Sequence, residues 1–174
     1  SASSLPESSL ALLQGVCDDI AATGSGVFAA APRRPPPRST VLTVPGALPR
    51  SLGSALELLA FLCPEALQGA AEIVDHRTVQ RVVAQESRRV FHLVSASSGS
   101  KRAHPHVCLP SFCTCASYCH KVATRPDALA CKHGLAVLLA EALGRTQSAE
   151  HSDVAWANSL SHHLQLAMID HGSH

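Results

Sequence analysis

The residues best suited to chemistry lie in one short stretch. Cys113-Thr114-Cys115 is followed, after fifteen residues, by Cys131-Lys132-His133. Two pairs of soft or borderline ligands make up the set that a closed tetrahedral zinc site uses, with thiolate sulfur at roughly 2.3 Å and imidazole nitrogen at roughly 2.0–2.1 Å. Those bond lengths put two sulfurs of one site roughly 3.8 Å apart. Side chains at i and i+2 of an extended chain share a face about 6.6 Å apart. A bend at Thr114 is therefore predicted to bring both sulfurs to one ion.

The second pair must be presented differently. Leu135, Leu138, Leu139 and Ala142 recur at i, i+3, i+4 and i+7 and predict an amphipathic helix ending near Gly144. Within a helix, positions i and i+2 point roughly 200° apart. Cys131 is therefore expected just before the helix and His133 in its first turn. There the positive end of the helix dipole favours a thiolate. The predicted unit is a pair of strands, a loop and a helix start around Cys113, Cys115, Cys131 and His133.

Other donors lie nearby: Cys108, Cys119, His120, His104 and His106. Cys119-His120 is an alternative source of one ligand. Free cysteine also packs as a small buried hydrophobe. Five of the seven cysteines nevertheless fall between 108 and 131, a clustering that favours metal.

The flanking sequence predicts the elements that must hold this unit. Ser4 and Glu7 form a capping box with Pro6 in the first turn, and Leu13, Val16, Cys17 and Ile20 continue at helical spacing towards Gly24. Residues 1–30 are read as an N-terminal helix, and 31–50 as a linker in which Pro35-Pro36-Pro37 excludes helix and central strand. A core domain is expected over 51–147, with the zinc module at about 103–145, then a C-terminal helix and tail over 148–174. Ser51 is expected to cap a helix with Leu52, Ala55, Leu56, Leu59 and Leu62 on its core face, and Pro64 to break it. A shorter helix, Glu65 to Val74, follows. Thr78–Val83 and Arg89–Val94 read as a β-hairpin about Gln85-Glu86-Ser87, and His104–Leu109 as a third strand leading into Cys113. Ser152 or Ser148 is expected to cap a last helix carrying Ala157, Leu160, Leu164 and Ala167. The fold class is α+β: a small antiparallel sheet and zinc finger flanked by helices.

Composition narrows the function. The chain is 46% hydrophobic and 16% charged with only 3% aromatic residues, so Leu, Val and Ala must fill its core. A formal charge of +1 gives no global pull towards nucleic acid or anionic membrane. Apolar runs such as Leu58–Cys63 are too short to span a bilayer. An odd cysteine count without a signal-peptide pattern is read as belonging to a reducing intracellular compartment. Arg77, Arg81, Arg88, Arg89, Lys101 and Arg102 fall on or beside the hairpin. Without interleaved aromatics for base stacking they read as a solvated outer face before they read as a nucleic-acid surface. Ser98-Gly99-Ser100-Lys101 lacks the leading glycine of a phosphate loop, and no H-E-x-x-H or G-x-S-x-G occurs. Four protein ligands would leave zinc no position for a reactive water. A non-enzymatic protein is expected.

C-x-C, fifteen residues, then C-x-H resembles the signature of the SWIM zinc-finger family. Within it, the chain is similar to the small SWIM proteins of the Shu recombination complex over roughly residues 51 to 147. Ile73-Val74-Asp75, Arg89-Val90-Phe91, the Ser-rich loop ending at Lys101, Cys108-Leu109, and Cys131-Lys132-His133 running into Leu135-Ala136-Val137 carry that likeness. The segment from Cys108 to Cys113 is shorter than in those relatives. The resemblance implies zinc ligands at Cys113, Cys115, Cys131 and His133. It implies a nuclear, non-enzymatic scaffold that pairs with a RecA-like recombinase paralogue and promotes recombinase filaments on single-stranded DNA. SWIM fingers also serve as DNA- or protein-binding modules of transcription- or transposase-related proteins, and one occurs beside a RING in a ubiquitin-ligase context. The chain carries neither the long core of the former nor a second zinc module.

Overall fold

The computed structural model of the chain describes residues 14–16, 18, 21, 52–76, 78–95, 104–125 and 127–171. The expected capping box at Ser4, the linker at 31–50, Arg77, Lys101 and Arg102 lie outside them. Of the expected N-terminal helix, Gln14, Gly15, Val16, Asp18 and Ala21 are helical, and Val16 is fully buried in the main core.

Helix α1 spans Leu52–Leu62 and α2 spans Pro64–His76. Pro64 stands at the first helical position of α2, where its fixed φ suits the helix and its missing N–H is not needed. The break between the two helices is held by the Cys63 carbonyl, which accepts from the Ala66 and Leu67 N–H groups. The predicted stripe of α1 is only partly inward: Leu59 is fully buried, whereas Leu56 is exposed.

Strands β1 (Val79–Ala84) and β2 (Val90–Val94) form the predicted hairpin. They are followed by β3 (His106–Leu109), the two-residue β4 (Phe112–Cys113), a π-helical turn over Tyr118–Thr124, and α3 (Lys132–Ala142). The chain closes with β5 (Gln147–His151) and α4 (Asp153–His171). The sheet has five strands in the order β4-β3-β2-β1-β5. All its pairings are antiparallel except β1 with β5, which is parallel. The α+β class holds, with a sheet larger than the three strands expected. The π-helical turn also occupies part of the stretch read as loop.

Strand alternation sorts the side chains between two cores. One face of the sheet carries Val79, Val94, Cys108 and Cys113, which pack with α2 and α3. The other carries Val82, Ala84, Phe91, Leu93 and Val107, which pack on Trp156 and, at the edge, on Leu160 and Leu164 of α4. Helix α3 lies between α2 and the sheet. Its buried set (His133, Leu135, Ala136, Val137, Leu139 and Ala140) therefore extends well beyond the single predicted stripe. The helix ends in a Schellman motif: Arg145 N–H donates to Ala140 O at 2.8 Å and Gly144 N–H to Glu141 O at 3.1 Å. Gly144 has φ +65°, the left-handed conformation that glycine adopts without a Cβ clash.

The hairpin turn and the last helix are coupled. Ser152 caps α4 through Oγ, which accepts from Ala155 N–H at 3.3 Å; the alternative cap, Ser148, lies within β5. The carboxylate of Asp153 accepts from the backbone N–H groups of Glu86 and Ser87, each at 3.1 Å. Hydrogen bonds from Ser87 hold the Asp153 carboxyl below its ordinary range. A carboxyl depressed by folding stabilises the native state above its unfolded pKa of about 3.9 and loses that contribution as pH falls through the folded value. Asp153→Asn should therefore melt below wild type at pH 7. The gap in melting temperature should narrow as the pH drops under about 4, which thermal melts across pH will check.

Two of the arginines read as a possible basic face are held in ion pairs. Arg81 Nε lies 3.4 Å from Glu141 and Arg88 lies 3.6 Å from Glu150. No helix among the described residues is long and apolar enough to cross a membrane.

Candidate metal centre

The centre is assembled where the sheet edge meets the start of α3. Cys113 ends β4 on the sheet face that packs against α3. The chain then bends at Thr114 and Cys115, as the ligand spacing requires. The bend is pinned twice to one residue of β3: Thr114 N–H donates to Val107 O at 3.1 Å, and Val107 N–H donates to Thr114 Oγ1 at 3.0 Å. Cys131 is the N-cap of α3 with extended backbone, φ −82° and ψ 163°, and His133 sits in the first turn.

The structure brings Cys113, Cys115, Cys131 and His133 together, all four buried, with their ligand atoms within 4.8 Å of one another. This is the quartet singled out from the sequence. Of the other donors weighed, Cys119, His120 and His104 are exposed. His106 stacks on His133 with ring centroids 4.1 Å apart. Cys108 is buried beside the cluster, its Sγ 3.6 Å from that of Cys113.

The donor set suits a soft or borderline cation. The spread of ligand atoms is within about an ångström of the sulfur spacing that zinc imposes, roughly 3.8 Å. His133 Nδ1 is buried without a hydrogen-bond partner, a polar atom that coordination would satisfy. Two backbone donors face the sulfurs: Gly134 N–H to Cys131 Sγ at 3.4 Å and Tyr118 N–H to Cys115 Sγ at 3.2 Å. Both would offset the negative charge of three thiolates. Protons are unequally held among the sulfurs. Hydrogen bonds from the Cys113 and Cys115 thiols hold Cys131 well below the usual thiol range, helped by His133 and Gly134. Cys113 is pushed up, chiefly by Cys108, and Cys115 is pushed up, chiefly by Cys113. The direction of these shifts favours the thiolate form of Cys131 at the helix start, as the dipole does.

Sequence reasoning passed over the residues that support the cluster. Tyr118 opens the π-helical turn, donates its N–H to Cys115, and donates its hydroxyl to the Ser111 carbonyl. Its ring packs edge-on to Phe112 of β4, with centroids 5.8 Å apart. The only signal was the presence of an aromatic residue in a chain with few of them.

No family model matches the chain, and no solved structure matches it. Curated proteins do. Zinc finger SWIM domain-containing protein 7 of Danio rerio is 34% identical over 98 residues, which cover 56% of this chain and 67% of the relative. The Homo sapiens protein of the same name is 29% identical over 97 residues, covering 55% and 66%. The Dictyostelium discoideum homologue is 25% identical over 104 residues, covering 59% and 64%. The chain thus spans about two thirds of the length of these relatives. With 34% identity across that share of the zebrafish protein, and with C-x-C and C-x-H pairs folded into one buried cluster, the chain belongs to the zinc finger SWIM domain-containing protein 7 family.

Proposed function

We propose that Cys113, Cys115, Cys131 and His133 hold one structural zinc ion, and that the chain is a non-enzymatic scaffold of homologous recombination. In this reading it pairs in the nucleus with a RecA-like recombinase paralogue and supports recombinase filaments on single-stranded DNA. The observation that carries the metal assignment is the closed, buried Cys3His quartet. Four protein donors complete a tetrahedral shell and leave no open position for catalysis. When bound, zinc would cross-link the β4 bend to the N-terminus of α3. Three thiolates and a neutral imidazole would leave the centre at −1, next to the basic side chain of Lys132.

Support for a pairing role comes from apolar side chains left in solvent. Phe61 is 82% exposed on α1; Val154, Met168 and Ile169 are exposed on α4. Met168 and Ile169 are neighbours near the end of α4, and exposed apolar groups side by side on a helix are what a protein partner can cover. The partner would bring the nucleotide site, for which this sequence has no phosphate-loop motif. Direct DNA contact is assigned mainly to the partner, because Arg81 and Arg88 are engaged with Glu141 and Glu150.

Two measurements test the reading. Elemental analysis of the purified chain should return one zinc per chain; its absence would end the metal assignment. Affinity capture from nuclear extract with wild type, followed by peptide identification, should recover a RecA-like ATPase. Capture with His133→Ala should not. Recovery of transcription factors alone would replace the recombination role with a transcription-type module.

A further inference from the structure

Cys108 stands outside the quartet, yet its Sγ lies 3.6 Å from Cys113 Sγ, and both residues are buried. They are cross-strand partners in the β3–β4 pair. One position along, Thr114 N–H donates to Val107 O, so Cys108 and Cys113 occupy a site between bonded pairs. Cα atoms of such a non-hydrogen-bonded antiparallel pair lie about 4.5 Å apart. Disulfides span Cα separations of about 4.4–6.8 Å. The backbone thus already suits a bond between these two sulfurs. Both sulfurs are reached by local opening of the sheet edge: β4 has two residues and, among the described residues, nothing pairs on its outer side, so it belongs to the segments that open most readily.

We propose that Cys108 is a resolving thiol that makes peroxide oxidation of Cys113 reversible. The proposal rests on the zinc reading for its metal readout only. Hydrogen peroxide, the oxidant, transfers one oxygen to the Cys113 sulfur; the O–O bond breaks, a sulfenic acid forms, and the thiol proton leaves with the second oxygen as water. The Cys108 sulfur then attacks the Cys113 sulfur. The S–S bond forms, the S–O bond breaks, and the oxygen departs as water with the proton given up by the Cys108 thiol. The net change is two thiol sulfurs oxidised by two electrons and one peroxide reduced. A sulfenic acid without such a neighbour proceeds to sulfinic acid, which ordinary thiol reductants do not reverse. Cys113 tied to Cys108 can no longer act as a thiolate ligand, so zinc is released until the disulfide is reduced.

The test treats zinc-loaded full chain with hydrogen peroxide. Released zinc is followed with a chromogenic chelator, disulfides are mapped by non-reducing peptide mass spectrometry, and zinc binding is measured again after dithiothreitol. Wild type should give a Cys108–Cys113 linked peptide and recover its zinc on reduction. Cys108→Ala should start with the same zinc content and recover about five-fold less, with sulfinic acid at Cys113. Equal recovery in Cys108→Ala, or a wild-type map dominated by Cys113–Cys115 or Cys115–Cys131, would overturn the proposal. So would loss of zinc from untreated Cys108→Ala, which would make Cys108 a ligand. A wild-type chain without zinc would count against the metal assignment alone, and the disulfide map would still decide the Cys108–Cys113 pair.

Discussion

Chelation of zinc from the purified chain is expected to unfold most of it, with helical signal lost in far-ultraviolet circular dichroism and regained on adding one equivalent of zinc. Structural zinc in finger peptides is worth roughly 10–16 kcal/mol of apparent binding free energy. A domain's whole net stability is roughly 5–15 kcal/mol, so the ion and the fold stand or fall together. The architecture extends the damage beyond the ligand loop. Cys113, Cys115 and Cys131 belong to the same core cluster as Ile73 of α2, Val79 of β1 and Leu135 of α3. Without the ion, three sulfurs and a buried imidazole remain in that core, with His133 Nδ1 lacking a partner. His133→Ala and Cys131→Ala should therefore be unfolded even in zinc, whereas Cys119→Ala, at an exposed position, should melt with wild type. A chelated chain that keeps its spectrum and melts cooperatively at the wild-type temperature would show the quartet to be mere packing.

The second large effect belongs to the opposite face of the sheet. Trp156 is buried, meets Phe91 edge-to-face at 5.4 Å, and donates Nε1–H to Val82 O at 3.2 Å. Truncating a buried aromatic to alanine costs about 3–5 kcal/mol, a large share of net stability. Trp156→Ala should lower the urea midpoint sharply. Trp156→Phe, which keeps one six-membered ring but loses the pyrrole part and its hydrogen bond, should cost less, about 1–3 kcal/mol. Because α4 and the metal quartet lie on different faces, folded Trp156→Ala should still bind zinc with wild-type stoichiometry. Trp156 is the chain's single tryptophan, so its fluorescence in wild type reports the docking of α4. A Trp156→Ala chain within about 1 kcal/mol of wild type would mean that α4 is held by something other than this anchor.

The parts of this fold that were readable from sequence are those whose signals are local. The quartet could be read because ligand chemistry and spacing limit the arrangements, and because two residues apart cannot mean one face of a helix. That constraint placed Cys131 at the N-cap, where it is found. The break at Pro64 and the Val-rich hairpin were equally local. Strand β5 was not legible: Gln147-Ser148-Ala149-Glu150-His151 lacks β-branched residues and is nowhere fully buried. Its pairing with β1 is tertiary in origin. The broad burial of α3 was missed for a related reason, since one stripe of spacing does not reveal that helices and sheet press on it from two sides. The π-helical turn at Tyr118–Thr124 follows from holding Cys115 near the cluster, which no propensity anticipates.

The parallel join of β5 to β1 also sets an order on folding. Val82 and Trp156 meet although 74 residues separate them. During synthesis β1 and β2 emerge first as a hairpin with one open edge, and the apolar face of Val82, Phe91 and Leu93 has no cover. That edge and that face are closed only by the last two elements of the described chain. Long-range closures of this kind slow folding, because the entropy of bringing the ends together is lost before the contacts form. Until then the nascent chain exposes a strand edge of the kind that recruits other chains. A chain interrupted before Gln147 should accordingly aggregate even when zinc is abundant, since the ion can complete one face of the sheet but cannot shield the other.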